Sequence, residues 1–425
     1  MCIFPFKARR FLKSTLLSSG AILACASYAQ NVQAAGFYLQ EQSVSGLGAA
    51  FAGQAAMPRD ASTVYFNPAG MTHLPGANLN AGVHIIIPNS ELTDRGSTLG
   101  GGPVGGGDGG NPYDPTPLPN LYFTQQVTDN FWLGIGAGAP FGLGNEYDSD
   151  WFGRYESIKS ELTTFEIYPS AAIKFNDWLS VGGSLIFNYS DATLTNALNA
   201  GTQGLQTLEG DGYAFGYNIG ILVEPRDGTR IGMDYRSSVN NKLEGRFSIV
   251  GSTGGDTDVG AQADLHLPDI ASLSAAQDLN DRWTLLGSAT WFGWNDFDRI
   301  ETVSSTGTPI GSVEQNYNSS WAFAIGAEYQ YSDAWTLRAG YQFDETPTND
   351  EFRTTRTPDG DRHWLTGGAT YQLNDKWSFD FAGAYIDVAE EEVNLNRNIT
   401  AIPAVVNAET DGYVVILAAG LNYKF

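Results

Sequence analysis

Histidine, cysteine and carboxylate side chains carry most metal and acid–base chemistry, and this 425-residue chain does not arrange them for it. The four histidines, His73, His84, His266 and His363, are far apart and share no ligand spacing. The two cysteines, Cys2 and Cys25, both fall within the first 34 residues, so residues 35–425 offer neither a disulfide nor a thiolate ligand. No Gly-x-Ser-x-Gly elbow accompanies the histidines, and no Ser/His/Asp set is apparent. No catalytic residue, metal or cofactor is therefore expected. The chain offers instead aromatic surface and backbone freedom, with 23 Phe, 20 Tyr, 10 Trp and 50 Gly.

The elements that position these residues begin after an export signal. Lys7, Arg9, Arg10 and Lys13 form a basic stretch, and Leu16 to Ala29 is apolar but too short to span a bilayer. Val32-Gln33-Ala34 has the small residues of a cleavage site, so residues 1–34 read as a signal peptide. The competing reading is a lipoprotein with Ile22-Leu23-Ala24-Cys25 as its lipobox, which places bulky Leu23 where a small residue is preferred. The signal holds four basic and no acidic residues, so a net charge of −24 becomes −28 after cleavage. Such acidity excludes a nucleic-acid partner, whose phosphates it would repel. The acidic groups Asp344-Glu345, Asp350-Glu351 and Glu390-Glu391-Glu392 read as solvated loop surface, the alternative being cation bridges to anionic lipopolysaccharide.

No apolar run after the signal reaches 18 residues; the longest, Tyr413 to Leu421, has nine, which excludes membrane helices. Six short polar turns recur instead: Thr128-Asp129-Asn130, Asn176-Asp177, Arg226-Asp227-Gly228, Asn280-Asp281-Arg282, Ser332-Asp333-Ala334 and Asn374-Asp375-Lys376. Asp and Asn suit such tight turns. Trp178, Trp283, Trp335, Trp377 and the pair Phe131-Trp132 follow closely, as aromatics do at a membrane–water rim. With both termini on one side, six turns imply 14 strands. A period near 50 residues also fits a Kelch propeller, but only two strands per repeat are legible.

The strands alternate. Tyr413, Val415, Leu417, Ala419, Leu421, Tyr423 and Phe425 share one face of the last. Leu337, Ala339, Tyr341 and Phe343 oppose Thr336, Arg338, Gln342 and Asp344 in another. Charge on one face alone fits a barrel with a polar lumen, although a soluble β-sandwich alternates too. An all-β, 14-stranded antiparallel transmembrane barrel over residues 78–425 is the fold expected. Residues 35–77 do not alternate, yet Phe37, Tyr38, Leu47, Phe51, Val64, Tyr65 and Phe66 are too apolar for a disordered tail. They are expected to form a plug with short helical segments, Val44 to Ala56 among them, because 14 strands enclose more space than side chains fill. The third strand, Phe131 to Leu143, contains Gly134, Gly136, Gly138, Pro140 and Gly142. It either ends near Ala139 or kinks inward and opens the wall.

Six motifs, Ala35-Gly36-Phe37, Ser45-Gly46-Leu47-Gly48, Asn67-Pro68-Ala69, Trp151-Phe152-Gly153-Arg154-Tyr155, Tyr235-Arg236-Ser237 and Leu267-Pro268-Asp269, together resemble the long-chain fatty acid transporter family of Gram-negative outer membranes. The resemblance covers Ala35 to Phe425 and extends to relatives that carry aromatic hydrocarbons. It implies an outer-membrane, monomeric, non-enzymatic channel surrounded by lipid and lipopolysaccharide. Its ligand would be a long-chain fatty acid or similar hydrophobic molecule, taken up passively. It implies an inward kink at Gly136, Gly138 and Pro140, with Asn67, Pro68 and Ala69 beside it, a hatch built on Phe37, Leu47 and Phe51, and outer-loop capture by Trp151, Phe152 and Tyr155. The basic residues that would anchor a carboxylate have no match, since Ser190 to Ala197 and Gln315 to Ser320 contain no Lys or Arg. Arg154, Arg236, Lys242, Arg246 and Arg338 are the available substitutes. A general porin or adhesin and an outer-membrane lipase are the readings from other classes.

Overall fold

In the computed structural model the described residues are 36–199, 203–252, 254–399 and 402–425; the signal peptide and the lipobox cysteine lie outside them. The wall begins with β1 (Ala77–Asp94), β2 (Thr116–Thr128) and β3, which runs Phe131–Gly138, breaks, and resumes as Gly142–Glu146. β4 (Lys159–Asn176), β5 (Leu179–Asn199) and β6 (Gln203–Arg226) are continuous. The next four are each interrupted once: β7 (Thr229–Arg236, Val239–Val250), β8 (Thr257–Leu267, Ile270–Asp278), β9 (Trp283–Phe292, Arg299–Ser304) and β10 (Pro309–Glu314, Ser320–Ser332). β11 (Trp335–Asp344), β12 (Arg362–Gln372), β13 (Trp377–Ile399) and β14 (Ile402–Lys424) complete a ring of 14. Neighbours are antiparallel throughout, and β14 closes on β1 from Asn78↔Lys424 to Asp94↔Ala408. Each of the six polar turns joins two adjacent strands, which removes the propeller reading.

The faces sort by solvent. Leu185, Phe215, Ile219, Ile325, Leu365 and Leu417 point out, as a lipid-facing band requires. Trp178, Trp283, Trp335 and Trp377 are exposed at the turn end, but Trp132 is not part of that belt. It is buried and donates its indole N–H to Leu74 O (2.9 Å), because its even-numbered position faces the lumen. β13 and β14 exceed the roughly 10 residues that cross a membrane, so Glu390, Glu391 and Glu392 sit in a protruding β-hairpin rather than a loop. Asp344 is also no loop residue; it is buried at the end of β11.

Residues 36–76 fill the lumen. Only short helices form there: α1 (Val44–Leu47), α2 (Thr63–Phe66) and a 3₁₀ turn, Pro68–His73. The longer helix expected over Val44 to Ala56 stops after one turn, with Ala50 and Phe51 in the left-handed region (φ 52° and 57°). The segment rests on wall glycines backbone to backbone. A Cβ on Gly182 would lie 2.4 Å from Ala69 N, and one on Gly340 2.3 Å from Ala49 C. Much of the chain's glycine therefore serves close approach.

Candidate functional site

β3 and β4 pair through Gly138↔Glu166 and again from Gly142↔Thr163, so β3 carries one residue more than its partner across the break. On its other side β3 pairs with β2 only as far as Leu121↔Ala137. β2 continues to Thr116, still paired with β1, so Thr116–Asn120 presents an unpaired edge towards β3. Gly136 and Gly138 face inward beside the break, where a Cβ would fall 2.5 Å from the Tyr122 ring and 2.3 Å from Gln42 Oε1. They admit those side chains, while Ala139, Pro140 and Phe141 form the break itself.

Buried backbone groups need partners, and the first residues of the hatch supply them. Leu39 N donates to Pro140 O (2.7 Å) and Gly142 N to Phe37 O (2.9 Å). Gln42 Nε2 donates to Ala139 O (3.1 Å) and Leu39 O (3.2 Å), while Tyr122 OH donates to Gln42 O (3.0 Å). Thr164 Oγ1 receives Phe141 N (3.1 Å) and donates to Phe141 O (2.6 Å). Phe37–Gln42 thus acts as a local extra strand, bridging Tyr38 to Phe141. The segment is held from the other side by the loop of residues 345–361, where Asp359 accepts Gly36 N at Oδ2 (2.9 Å) and pairs with Arg362 through Oδ1. Neighbouring Glu41 is buried with one carboxylate oxygen unpartnered. Burial pushes its carboxyl up to about 7, while its own backbone N–H and then Arg362 pull the other way.

Above the break lies a cavity with about 820 Å³ of space free of protein atoms, part of it open to solvent. Phe37 contributes to its lining, and Leu143, Leu162, Leu194, Leu208, Leu243 and Leu265 make its apolar wall. Phe37 packs edge-on against Trp294 (4.6 Å between centroids) and Phe297 (5.2 Å), joining the cavity to the break. The loop of residues 345–361 reaches across to the β3–β4 rim. Asn145 Nδ2 donates to Arg356 O (2.6 Å) and Tyr147 OH to Thr355 O (2.7 Å). The charged lining is Glu161, Glu209, Asp264 and Arg356, and Arg356 is already paired with Glu156.

Several residues singled out from the sequence serve other ends. Asn67 donates from Nδ2 to Ala55 O (2.7 Å) and Ile221 O (3.0 Å), so Asn67, Pro68 and Ala69 anchor the hatch to β5 and β6; the break's bonds go to Phe37–Gln42. Trp151 and Phe152 are buried in a cluster with Tyr147, Leu92, Val393 and Val406, and neither lines the cavity. Arg154 donates to Gly105 O (2.9 Å) and Trp151 O (2.8 Å) and lies over the Tyr155 ring, tying loop to loop. Arg236 is buried against Glu166 between the rings of Tyr65 and Tyr168, so no ligand carboxylate can use it without breaking that pair. Leu47 and Phe51 pack towards Trp364, Ile386 and Ile416. Gln42, Thr164, Arg356 and Asp359 gave no signal in the sequence, since their partners lie far along the chain.

Residues 25–425 match the family described as outer membrane protein transport protein (OMPP1/FadL/TodX). The chain belongs to that family. It is 27% identical to a long-chain fatty acid transport protein of Escherichia coli O6:H1, over 97% of this chain and 99% of that one. It is 30% identical to a 47 kDa outer membrane protein of Pasteurella multocida, over 89% and 92%. The crystal structure of a Pseudomonas aeruginosa FadL homologue superposes with a TM-score of 0.87 at 24% identity, covering 92% of this chain and all of the other. The protein is therefore an outer-membrane β-barrel of a family that transports hydrophobic substrates.

Proposed function

We propose that this barrel takes up long-chain fatty acids or similar hydrophobic molecules, holding them in the upper cavity and releasing them sideways between β2 and β3 into the outer leaflet. One observation carries the reading. The segment that satisfies the break in β3 begins with Phe37, which also lines the cavity. A ligand that displaces Phe37 withdraws Leu39 and Gln42 from the break, and the unpaired edge of β2 then borders an opening. Apolar burial of about 0.8 kcal/mol per CH₂ makes long chains the strongest binders. The charge balance of the lining favours a second ligand class, uncharged hydrocarbons, which need no cationic anchor; CymD, a protein of similar fold, is a monoaromatic hydrocarbon channel.

Register supplies the test. Deleting Pro140 removes the one extra residue and lets β3 pair with β4 without interruption. The variant should fold, as judged by heat-modifiable mobility, and bind ligand, yet lose uptake of a long-chain fatty acid supplied as sole carbon source. Uptake at the parental rate would rule out sideways release. Running the same assay with a monoaromatic hydrocarbon separates the two ligand classes.

A further inference from the structure

The wall is broken a second time, on the far side from β3. β8 and β9 are paired up to Ile270↔Phe292 and again from Ala263↔Thr302. Between those points, among the described residues, one backbone bond crosses from Gly293 N to Asp269 O (2.9 Å). Asp264 to Leu267 remains paired with β7, from Lys242 to Val239, so its other edge is open. Across the gap the chain of β9 turns inward at 293–298 and buries Trp294 and Phe297 against Phe37. Two sequence motifs meet at the lower margin: Tyr235 OH donates to Asp269 Oδ2 (3.2 Å), and a Cβ on Gly293 would lie 2.0 Å from Asp269 Oδ1.

The level of this gap follows from its surroundings. Trp291 and Trp321, paired across β9 and β10 just below it, mark the boundary of the membrane. Asp264, Asn295, Asp296, Asp298 and Arg299 around it are exposed and polar, and His266 is half-buried. An open strand edge is tolerated there because water reaches it, as it would not in hydrocarbon. The upper cavity is lined by both margins, by Asp264 and Leu265 on one and Phe297 and Ile300 on the other. Its top is crossed by the loop of residues 345–361, bonded to the opposite rim. What fills the gap is side chain rather than backbone: Leu265, Leu267, Trp294 and Phe297. Such a shutter opens by rotamer changes, with no β-ladder to unzip.

We propose that the β8–β9 gap is the window by which hydrophobic molecules lying in the polar headgroup layer pass into the upper cavity. The inference rests on the uptake reading above and adds the way in. A molecule passing Phe297 meets Phe37 next, so admission and the release of the β3 latch share one contact. The loop-covered mouth is then not the main route.

Thiol labelling tests this. Cysteine occurs only at positions 2 and 25, so Asn295→Cys in the full chain carrying Cys2→Ser and Cys25→Ser supplies one addressable thiol after purification. A bulky polyethylene-glycol maleimide at that position should slow association of a fluorescent long-chain fatty acid and of pyrene at least tenfold. Dissociation should slow in proportion, leaving affinity unchanged. The same label at Asp108→Cys, on the first outer loop, should change neither rate. Trp294→Ala, with folding checked by heat modifiability, should speed association. Unchanged association after labelling Asn295→Cys, or slowing by the Asp108→Cys label alone, overturns the window while leaving uptake intact. Failure of the unlabelled protein to bind either probe overturns the uptake reading and the window together.

Discussion

Gln42→Ala should loosen the β3 latch by a calculable amount. The side chain donates two buried hydrogen bonds, to Ala139 O (3.1 Å) and Leu39 O (3.2 Å). Each contributes about 1 kcal/mol net, and a buried carbonyl left without a partner costs about 1–3 kcal/mol. Space left by the side chain admits water to part of this site, so a total of about 2–4 kcal/mol is expected. At RT of about 0.59 kcal/mol that raises the population with the latch withdrawn by roughly 30- to 1,000-fold. Hydrogen exchange reads this directly, because the Leu39 and Gly142 amides bridge hatch and strand. Their protection should fall by that factor while the amides of Phe131–Gly136, held by ordinary strand pairing, stay unchanged. Equal protection of Leu39 and Gly142 in variant and parent would refute the assignment of Gln42 as the clasp. A loss of protection spread over all of β3 would show instead that the strand depends on the hatch for its fold.

Other expectations follow from the same contacts. Arg236→Ala leaves buried Glu166 without its countercharge, with Asn188 Nδ2 (2.9 Å) still donating to it, and should cost about 3–5 kcal/mol, seen as a lowered temperature of heat modification; Arg236→Met with Glu166→Gln should recover most of it. The raised Glu41 carboxyl means that the folded hatch holds more protons than the unfolded chain between its ordinary 4.5 and about 7. Hatch stability is therefore fully present below the unfolded value and falls as pH rises through that window, by about 3 kcal/mol at 1.36 kcal/mol per unit. Leu39 exchange, corrected for its intrinsic rate, should be faster at pH 8 than at pH 5, and Glu41→Gln should remove the difference. Deleting residues 35–76 should leave an assembled barrel, whose wall pairs without them, but one that leaks small polar solutes in a liposome-swelling assay.

The strand count was legible because each polar turn is local: Asn280 caps Arg282 and Trp283 within three residues. The lipid face was legible because alternation has a fixed period of two. The kink in β3 showed as Gly and Pro in the wrong place for a wall strand, though the glycines also serve Tyr122 and Gln42. The detour of β9 at 293–298 had no such mark, since Trp294 and Phe297 are ordinary strand residues whose inward turn depends on Phe37, more than 250 positions earlier. Trp151 and Arg154 illustrate the opposite case. An aromatic-rich loop reads as a binding surface, and only the packing of Trp151 on Tyr147 (3.9 Å) reveals a small core of its own. The pairing of Arg236 depends on Glu166, in a strand three places away, which no local pattern places beside it.

The seam of the barrel ties assembly to plugging. The chain leaves the lumen at Gly76, whose left-handed backbone (φ 69°) turns it into β1, and the N–H of Phe425, just past β14, bonds to Ala77 O at 3.1 Å. The terminal link of the ring is thus made to the residue next to the hatch. The pairing of β14 with β1 that closes the ring therefore ends beside the residue from which the hatch hangs. A hatch seated on wall glycines with no room for a methyl group could not be threaded into a finished cylinder. Hatch and wall fit as a cask fits a form its staves were raised around: neither surface leaves room to slide past the other.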